Sequence, residues 1–168
     1  MTPQVAHRSG HGWLAVAIVA FALAGGCSPE AQLDELRKFQ RSGRFAETIG
    51  PLRERLDEAP DDPELNHLYG LALLRTGQSA LAIWSLHKAA QDPDRAIDAG
   101  MLLVQAILAG GSAEDAVVAA SKVLELAPDR VDVMRLLISA RLKASQNEAA
   151  LVDIERLLEL KPGGSAAV

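Results

Sequence analysis

The side chains that could do chemistry are few in this chain, and their spacing does not suit it. Of four histidines, His7 and His11 lie near the N-terminus, leaving His67 and His87. These two sit far apart and lack the HExxH spacing that puts two imidazoles on one helical turn around zinc. They read as surface or groove histidines. The stretch AGGSAED, residues 109–115, has glycines ahead of a helix but no Lys-Ser/Thr ending and no preceding strand, so it reads as a hairpin turn and not a phosphate cradle. The acidic stretch DEAPDDPE, residues 57–64, lacks the alternating oxygen ligands and closing Glu of a calcium loop, and reads as helix capping. Cys27 is the one cysteine, so no disulfide can form within the chain. No catalytic residue, metal ligand set or cofactor site follows from these residues, and no small-molecule substrate is expected.

The residues that do keep a regular spacing are turn and packing residues. Gly43, Gly77, Gly111 and Ser145 recur every 34 residues. So do Thr48, Ala82, Ala116 and Ala150, and so do Pro60, Asp94, Pro128 and Pro162. A period of this length marks stacked helical hairpins, each too small to bury its apolar face alone. Composition agrees: the chain is 49% hydrophobic and only 4% aromatic, rich in Ala and Leu, which favours helix over sheet. Net charge is −5 with no run of Lys or Arg, which argues against nucleic-acid binding.

The repeats fall at residues 29–62, 63–96, 97–130 and 131–164, with a disordered tail at 165–168. Each holds two helices joined at the Gly or Ser turn. Ser145-Gln146-Asn147-Glu148 has the form of a capping box, and Ser112 to Asp115 is a near-copy. Asp62-Pro63-Glu64 places a capping carboxylate before a first-turn proline. Asp92 and Asp129 are expected to cap the next helices in the same way. Gly50-Pro51 predicts a kink or a late start in the second helix of the first unit.

These positions resemble the tetratricopeptide repeat. The second unit carries Tyr69, Gly70, Leu73, Gly77, Ala82, Leu86, Ala89 and Asp92-Pro93. The third supplies Leu103, Ile107, Gly111, Ala116, Ala120, Val123 and Pro128, and the fourth Leu137, Ile138, Ala150, Ile154, Leu157 and Pro162. The first unit departs most, with Glu35 and Arg55 where apolar residues are expected. The resemblance implies an all-α fold, a right-handed α-solenoid of about four helical hairpins. It also implies a groove lined by the first helix of each unit and used to bind protein. At the facing positions stand His67, Leu71, Leu74 and Arg75, then Met101, Gln105 and Leu108, then Arg135, Ser139 and Lys143, with Arg37 and Arg41 extending the row. An apolar centre with basic edges suits an extended or helical peptide carrying apolar anchors and acids. The Lys and Asn pattern of the carboxylate-clamp version is missing at Leu33, Arg37, Asp98 and Leu102. On the second helices, Trp84, Val118 and Val152 recur at the same period; they read as local cover for a gap and ordinary scatter, the alternative being an apolar stripe on the convex side open to a partner or the membrane surface. Lys88, Lys122 and Arg156 recur too, and read as a solvated face.

The N-terminus stands apart. After His7, Arg8 and His11 comes the apolar run WLAVAIVAFALA, residues 13–24. Twelve helical residues rise roughly 18 Å, short of the roughly 30 Å hydrocarbon core, so the run reads as a signal peptide rather than a span. The sequence ALAGGCS resembles a bacterial lipobox, although Leu23 lies one residue earlier than usual. That resemblance implies residues 1–26 are removed and Cys27 becomes a diacylated first residue, anchoring the chain to membrane. Ser28 rather than Asp after it resembles the outer-membrane sorting pattern. Cleavage after Ala22-Leu23-Ala24 would instead free a soluble protein from Gly25, and an uncleaved anchor is the third possibility. The expectation is an outer-membrane lipoprotein facing the periplasm and acting as an adaptor. It resembles small lipoproteins that assist pilus secretins, outer-membrane assembly or polysaccharide export. The alternatives are the non-catalytic repeat portion of a larger envelope enzyme and a soluble periplasmic scaffold.

Overall fold

The computed structural model describes residues 28–160; the apolar N-terminal run, Cys27 and the tail from Lys161 lie outside them. Within that range the chain forms eight α-helices: α1 Pro29–Arg41, α2 Phe45–Glu58, α3 Pro63–Arg75, α4 Ser79–Ala89, α5 Ala96–Ala109, α6 Ala113–Leu126, α7 Val131–Lys143 and α8 Asn147–Leu160. They pair as α1/α2, α3/α4, α5/α6 and α7/α8, and every helix packs on the next in sequence. The fold is an all-helical solenoid.

One turn geometry closes all four hairpins. Gly43, Gly77 and Gly111 have φ of 80°, 81° and 91°, and Ser145 holds the same place at 60°. The amide after each reaches back over the last helical turn: Arg44 N–H donates to the Phe39 carbonyl, Gln78 to Leu73, Ser112 to Ile107 and Gln146 to Arg141. This is a Schellman closure, which needs a left-handed residue at its centre. Ser145 is therefore held in the turn and does not cap α8. Its expected capping box is not formed, because a cap residue needs extended backbone. Ser112 does precede α6, but its side chain accepts no helix amide. Arg130, not Asp129, is the residue before α7, and Asp92 accepts from the Asp94 amide at 3.0 Å instead of capping α5. The expectation holds for Asp62, whose Oδ1 accepts from the Leu65 amide at 2.8 Å. Ser28 does the same for Ala31 at 3.2 Å, giving Ser-Pro-Glu in α1 the role of Asp-Pro-Glu in α3.

Close approach within hairpins depends on the small residues. Ala82, Ala116 and Ala150 are fully buried, as is Thr48 at the same position in α2. Thr48 is polar yet satisfied: its hydroxyl donates to the Phe45 carbonyl at 2.8 Å and accepts from Gln40 Nε2 at 3.1 Å. Gly70 of α3 lies so near α4 that an added Cβ would stand 2.6 Å from Leu86 Cγ. Contacts between hairpins then complete the core. Leu73, Ala82 and Leu86 of the second hairpin form one cluster with Ala106 of α5, and Leu52 of α2 with Leu65 and Leu68 of α3.

Two of the recurring basic residues also join hairpins. Lys88 Nζ donates to the Pro60 carbonyl at 3.0 Å and pairs with Asp61 at 2.7 Å. Arg156 donates to the Pro128 carbonyl at 3.3 Å. This row is thus a set of clamps on the preceding inter-hairpin loop, and not only a solvated face. Lys122 has no such bond among the described residues; Asp94 stands at the place of the proline in its loop.

Pro51 overturns the expected kink or late start: α2 begins at Phe45 and runs through the proline. Pro51 lies on the exposed side, as does Glu47 one turn before it, so the carbonyl left without an amide donor can turn to water.

Two melting experiments follow. Gly70→Val should lower stability by about 1–3 kcal/mol in a urea titration, since the new branch has only Leu86 to push against. Pro51→Ala should raise it, by at most about 3 kcal/mol, by restoring one backbone bond in an otherwise regular helix.

Candidate functional site

The odd-numbered helices touch each other along the stack: α3 meets α5, and α5 meets α7. No comparable contact joins α4 to α6 or α6 to α8. Helices that converge on one side and splay on the other curve the stack, with α1, α3, α5 and α7 inside. The inner face is built from three rows at the period of the repeat: His67, Met101 and Arg135; Leu71, Gln105 and Ser139; and Leu74, Leu108 and Leu142.

Leu71, Gln105 and Ser139 are each half-buried and run along the middle of α3, α5 and α7. Leu74 and Leu108 are also half-buried, but they pack against the hydrophobic clusters beneath and so serve the core as well as the surface. Leu142 continues their row and is half exposed, at 50%. It was not among the expected groove residues, although its 34-residue spacing from Leu108 was there to be read. Met101 lies under Arg130, whose Nη2 is 3.7 Å from its sulfur.

Charge is divided across this face. Some of its ions are paired between hairpins. Arg37 meets Glu64 at 2.5 Å, Glu64 meets Arg95 at 3.2 Å, and Arg130 reaches Asp98 at 4.0 Å while pairing with Asp132 of its own hairpin at 2.6 Å. Arg130 holds the Asp132 carboxyl down at about 2. Arg37 also binds Asp34 and Glu30, so it joins the first two hairpins instead of offering a free charge to the groove. At the C-terminal ends of the odd helices Arg41, Arg75 and Lys143 share one repeat position, stand exposed, and have no ion-pair partner among the described residues. Arg135 is exposed and likewise unpaired there. The helix dipole favours cations at such ends, so the positive edge costs the fold nothing.

His67 is half-buried between these zones, and its Nδ1 has no hydrogen-bond partner. Burial lowers its pKa, and Arg95 lowers it further, against smaller opposing effects of Asp98 and Glu64. The imidazole is thus neutral at pH 7. His87 is exposed on α4, beside Gln91. Among the described residues no group of three or more His, Cys, Asp and Glu side chains could hold a metal, and no helix is long and apolar enough to cross a membrane.

The outer face differs from expectation. Trp84, Val118 and Val152 are exposed at 67%, 57% and 64%. Trp84 covers no gap; it projects outward with Lys88 Nζ 5.4 Å from its ring centre. Between α4 and α6, over α5, lies an apolar hollow of about 410 Å³ lined by Ile83, Gly100, Leu103, Val118, Val123 and Leu126. Gly100 stands where α3 has Asn66 and α7 has Met134, a difference visible in sequence.

Solved structures place this architecture. In fold, the chain is similar to MamA. A MamA double mutant superposes with a TM-score of 0.74 at 18% identity, covering 83% of this chain and 79% of its own. A crystal structure of MamA protein gives 0.73 at 18%, covering 83% and 78%. A further MamA structure gives 0.71 at 21%, covering 79% and 76%. No protein-family profile matches the sequence, and no curated protein matches it with significance. The likeness to MamA is one of tetratricopeptide-like helical stacking.

The state of His67 can be checked by titration. A folded pKa below the unfolded value of about 6.5 means that the unfolded chain binds the proton first, so stability is full above that pH and falls as pH drops through it. Between pH 7 and 5 the protein should therefore lose stability that His67→Gln retains, and the His67 ring resonances should titrate below the unfolded value of about 6.5.

Proposed function

We propose that this protein is a non-catalytic adaptor that binds another protein along the inner face of its solenoid. The ligand is an extended or helical segment with apolar anchors and acidic residues. One observation carries the reading: the half-buried row of Leu71, Gln105 and Ser139 lies beside cations, Arg75, Arg135 and Lys143, that no described acid neutralises. A ligand carboxylate meeting these side chains gains charge-assisted hydrogen bonds without breaking an ion pair, while apolar anchors displace water from the leucines. Extended recognition surfaces are what helical stacks produce, which the likeness to MamA supports at the level of fold.

The adaptor is held at the outer membrane, facing the periplasm, through acylated Cys27. There it assists assembly of an envelope, secretion, pilus or polysaccharide-export complex. The support for this part is the ALAGGCS sequence after a short apolar run. Three acyl chains on one cysteine are enough for stable anchoring, where a single chain is not.

Photocrosslinking in whole cells tests both parts together. A photoreactive residue at Leu71 or Gln105 should capture one defined protein, and Arg75→Glu with Lys143→Glu should abolish that capture. Capture from Trp84 alone would move the binding face to the outer side. Intact mass of the mature chain should show acyl groups on Cys27; an unmodified chain beginning at Gly25 would rule out the anchor.

A further inference from the structure

Each even helix carries two positions that meet the following hairpin. They are Ile49 and Leu56 in α2, Ile83 in α4 with Ala90 just past its end, and Val117 and Leu124 in α6. Leu56 packs with Leu65 and Leu68 of α3, Ile83 with Leu102 and Ala106 of α5, and Val117 and Leu124 with Leu136 and Ala140 of α7. All six are partly covered. In α8 the same two positions are Leu151 and Leu158, exposed at 59% and 66%. Ile154 lies between them, half-buried, where Leu52, Leu86 and Ala120 are fully buried. Among the described residues nothing follows α8. The seat that three helices use is thus built a fourth time, and no described residue covers it.

The internal copies also show what such a seat takes. The residues that arrive are Leu65, Leu68 and Ala72 from α3, Ala99, Leu102 and Ala106 from α5, and Val133, Leu136 and Ala140 from α7. Each set is an apolar residue, a leucine three on, and an alanine four further. In α1 the same places hold Ala31, Asp34 and Lys38, all exposed. A second copy therefore cannot continue the stack head to tail, since its leading helix would bring a carboxylate and an ammonium to the apolar seat.

Charge narrows the occupant further. Glu148, Glu155 and Glu159 are exposed and fall on one line of α8, flanking Leu151 and Leu158. None has an ion-pair partner among the described residues. The same line reads Ala46, Arg53 and Asp57 in α2, Ala80, His87 and Gln91 in α4, and Glu114, Ser121 and Glu125 in α6, so only α8 is acidic throughout. Two α8 faces brought together would oppose their carboxylates, which disfavours a tail-to-tail dimer.

We propose that the α8 face is a second docking site, separate from the inner groove, for an amphipathic helix of another protein. That helix presents an apolar residue, a leucine and an alanine at the spacing above, with Lys or Arg along one flank. It lies on Leu151, Ile154 and Leu158 as α7 lies on α6, and its basic flank meets the three glutamates.

The protein contains a suitable probe. A peptide of residues 131–143, the α7 sequence, has the apolar register and a net positive charge from Arg135, Arg141 and Lys143 against Asp132; a hydrocarbon staple on its outer side keeps so short a helix formed. Titrated with the full chain and read by fluorescence anisotropy, it should bind saturably and more weakly as salt rises. Leu151→Lys with Leu158→Lys should weaken binding about tenfold or more, as loss of buried anchors does. Glu155→Lys with Glu159→Lys should weaken it too, while Leu71→Lys on the inner face should leave it unchanged. All these side chains are exposed or half-exposed, and circular dichroism confirms that each variant is folded. Binding that survives Leu151→Lys with Leu158→Lys, or that a scrambled peptide matches, would overturn the proposal. So would light scattering that shows a dimer abolished by those two substitutions, since a second copy would then be the occupant.

Discussion

No hairpin in this chain can bury its own apolar side chains, and the shared face between consecutive hairpins governs everything else about the molecule. Leu86 is fully buried only because Gly70 lies against it within the hairpin and Ala106 arrives from the next. A pair of short helices has one inner seam and two outer flanks, so burying all three sides takes a neighbour on each end. Interior hairpins have both. The small residues at fixed spacing are what let the neighbour come close enough for dispersion to act over the whole seam. Leucine at the place of Ala82 would hold the two helices apart.

The same constraint produces the inner surface. Odd helices converge, so side chains in their middle turns are half-covered by neighbours and still reachable. Ion pairs join consecutive hairpins there, with Arg37, Glu64 and Arg95 in series. At the C-terminal ends Arg41, Arg75 and Lys143 have no ion-pair partner among the described residues, and the helix dipole favours them there. Paired and unpaired cations thus share the inner face of the same stack.

The two ends of the stack are unlike. Among the described residues α1 turns Asp34 and Lys38 outward, whereas α8 turns out leucines. Exposed apolar side chains next to a uniform acidic line are poor protection against water but a good description of a complementary surface.

Much of this was legible from spacing. The turn residues, the fully buried alanines and the pairing of helices follow from a 34-residue period, and Asp62 capped as its type and place suggest. What failed was local motif reading. Ser145 has the sequence of a cap, but closing the hairpin demanded a left-handed residue at that point and overrode it. Pro51 sits inside a helix because the carbonyl it deprives faces water, and exposure is a property of packing, not of the dipeptide. Lys88 and Arg156 looked solvated until the preceding loop brought a proline carbonyl to each. Residue type and interval determined the hairpins, because helix closure and small-residue seams act over a few residues and recur with the repeat. Which members of a row are buried was decided only in the assembled stack. Leu74 and Leu142 share one register, yet the first packs on the core and the second stands in solvent, because burial depends on what lies next to a side chain in space.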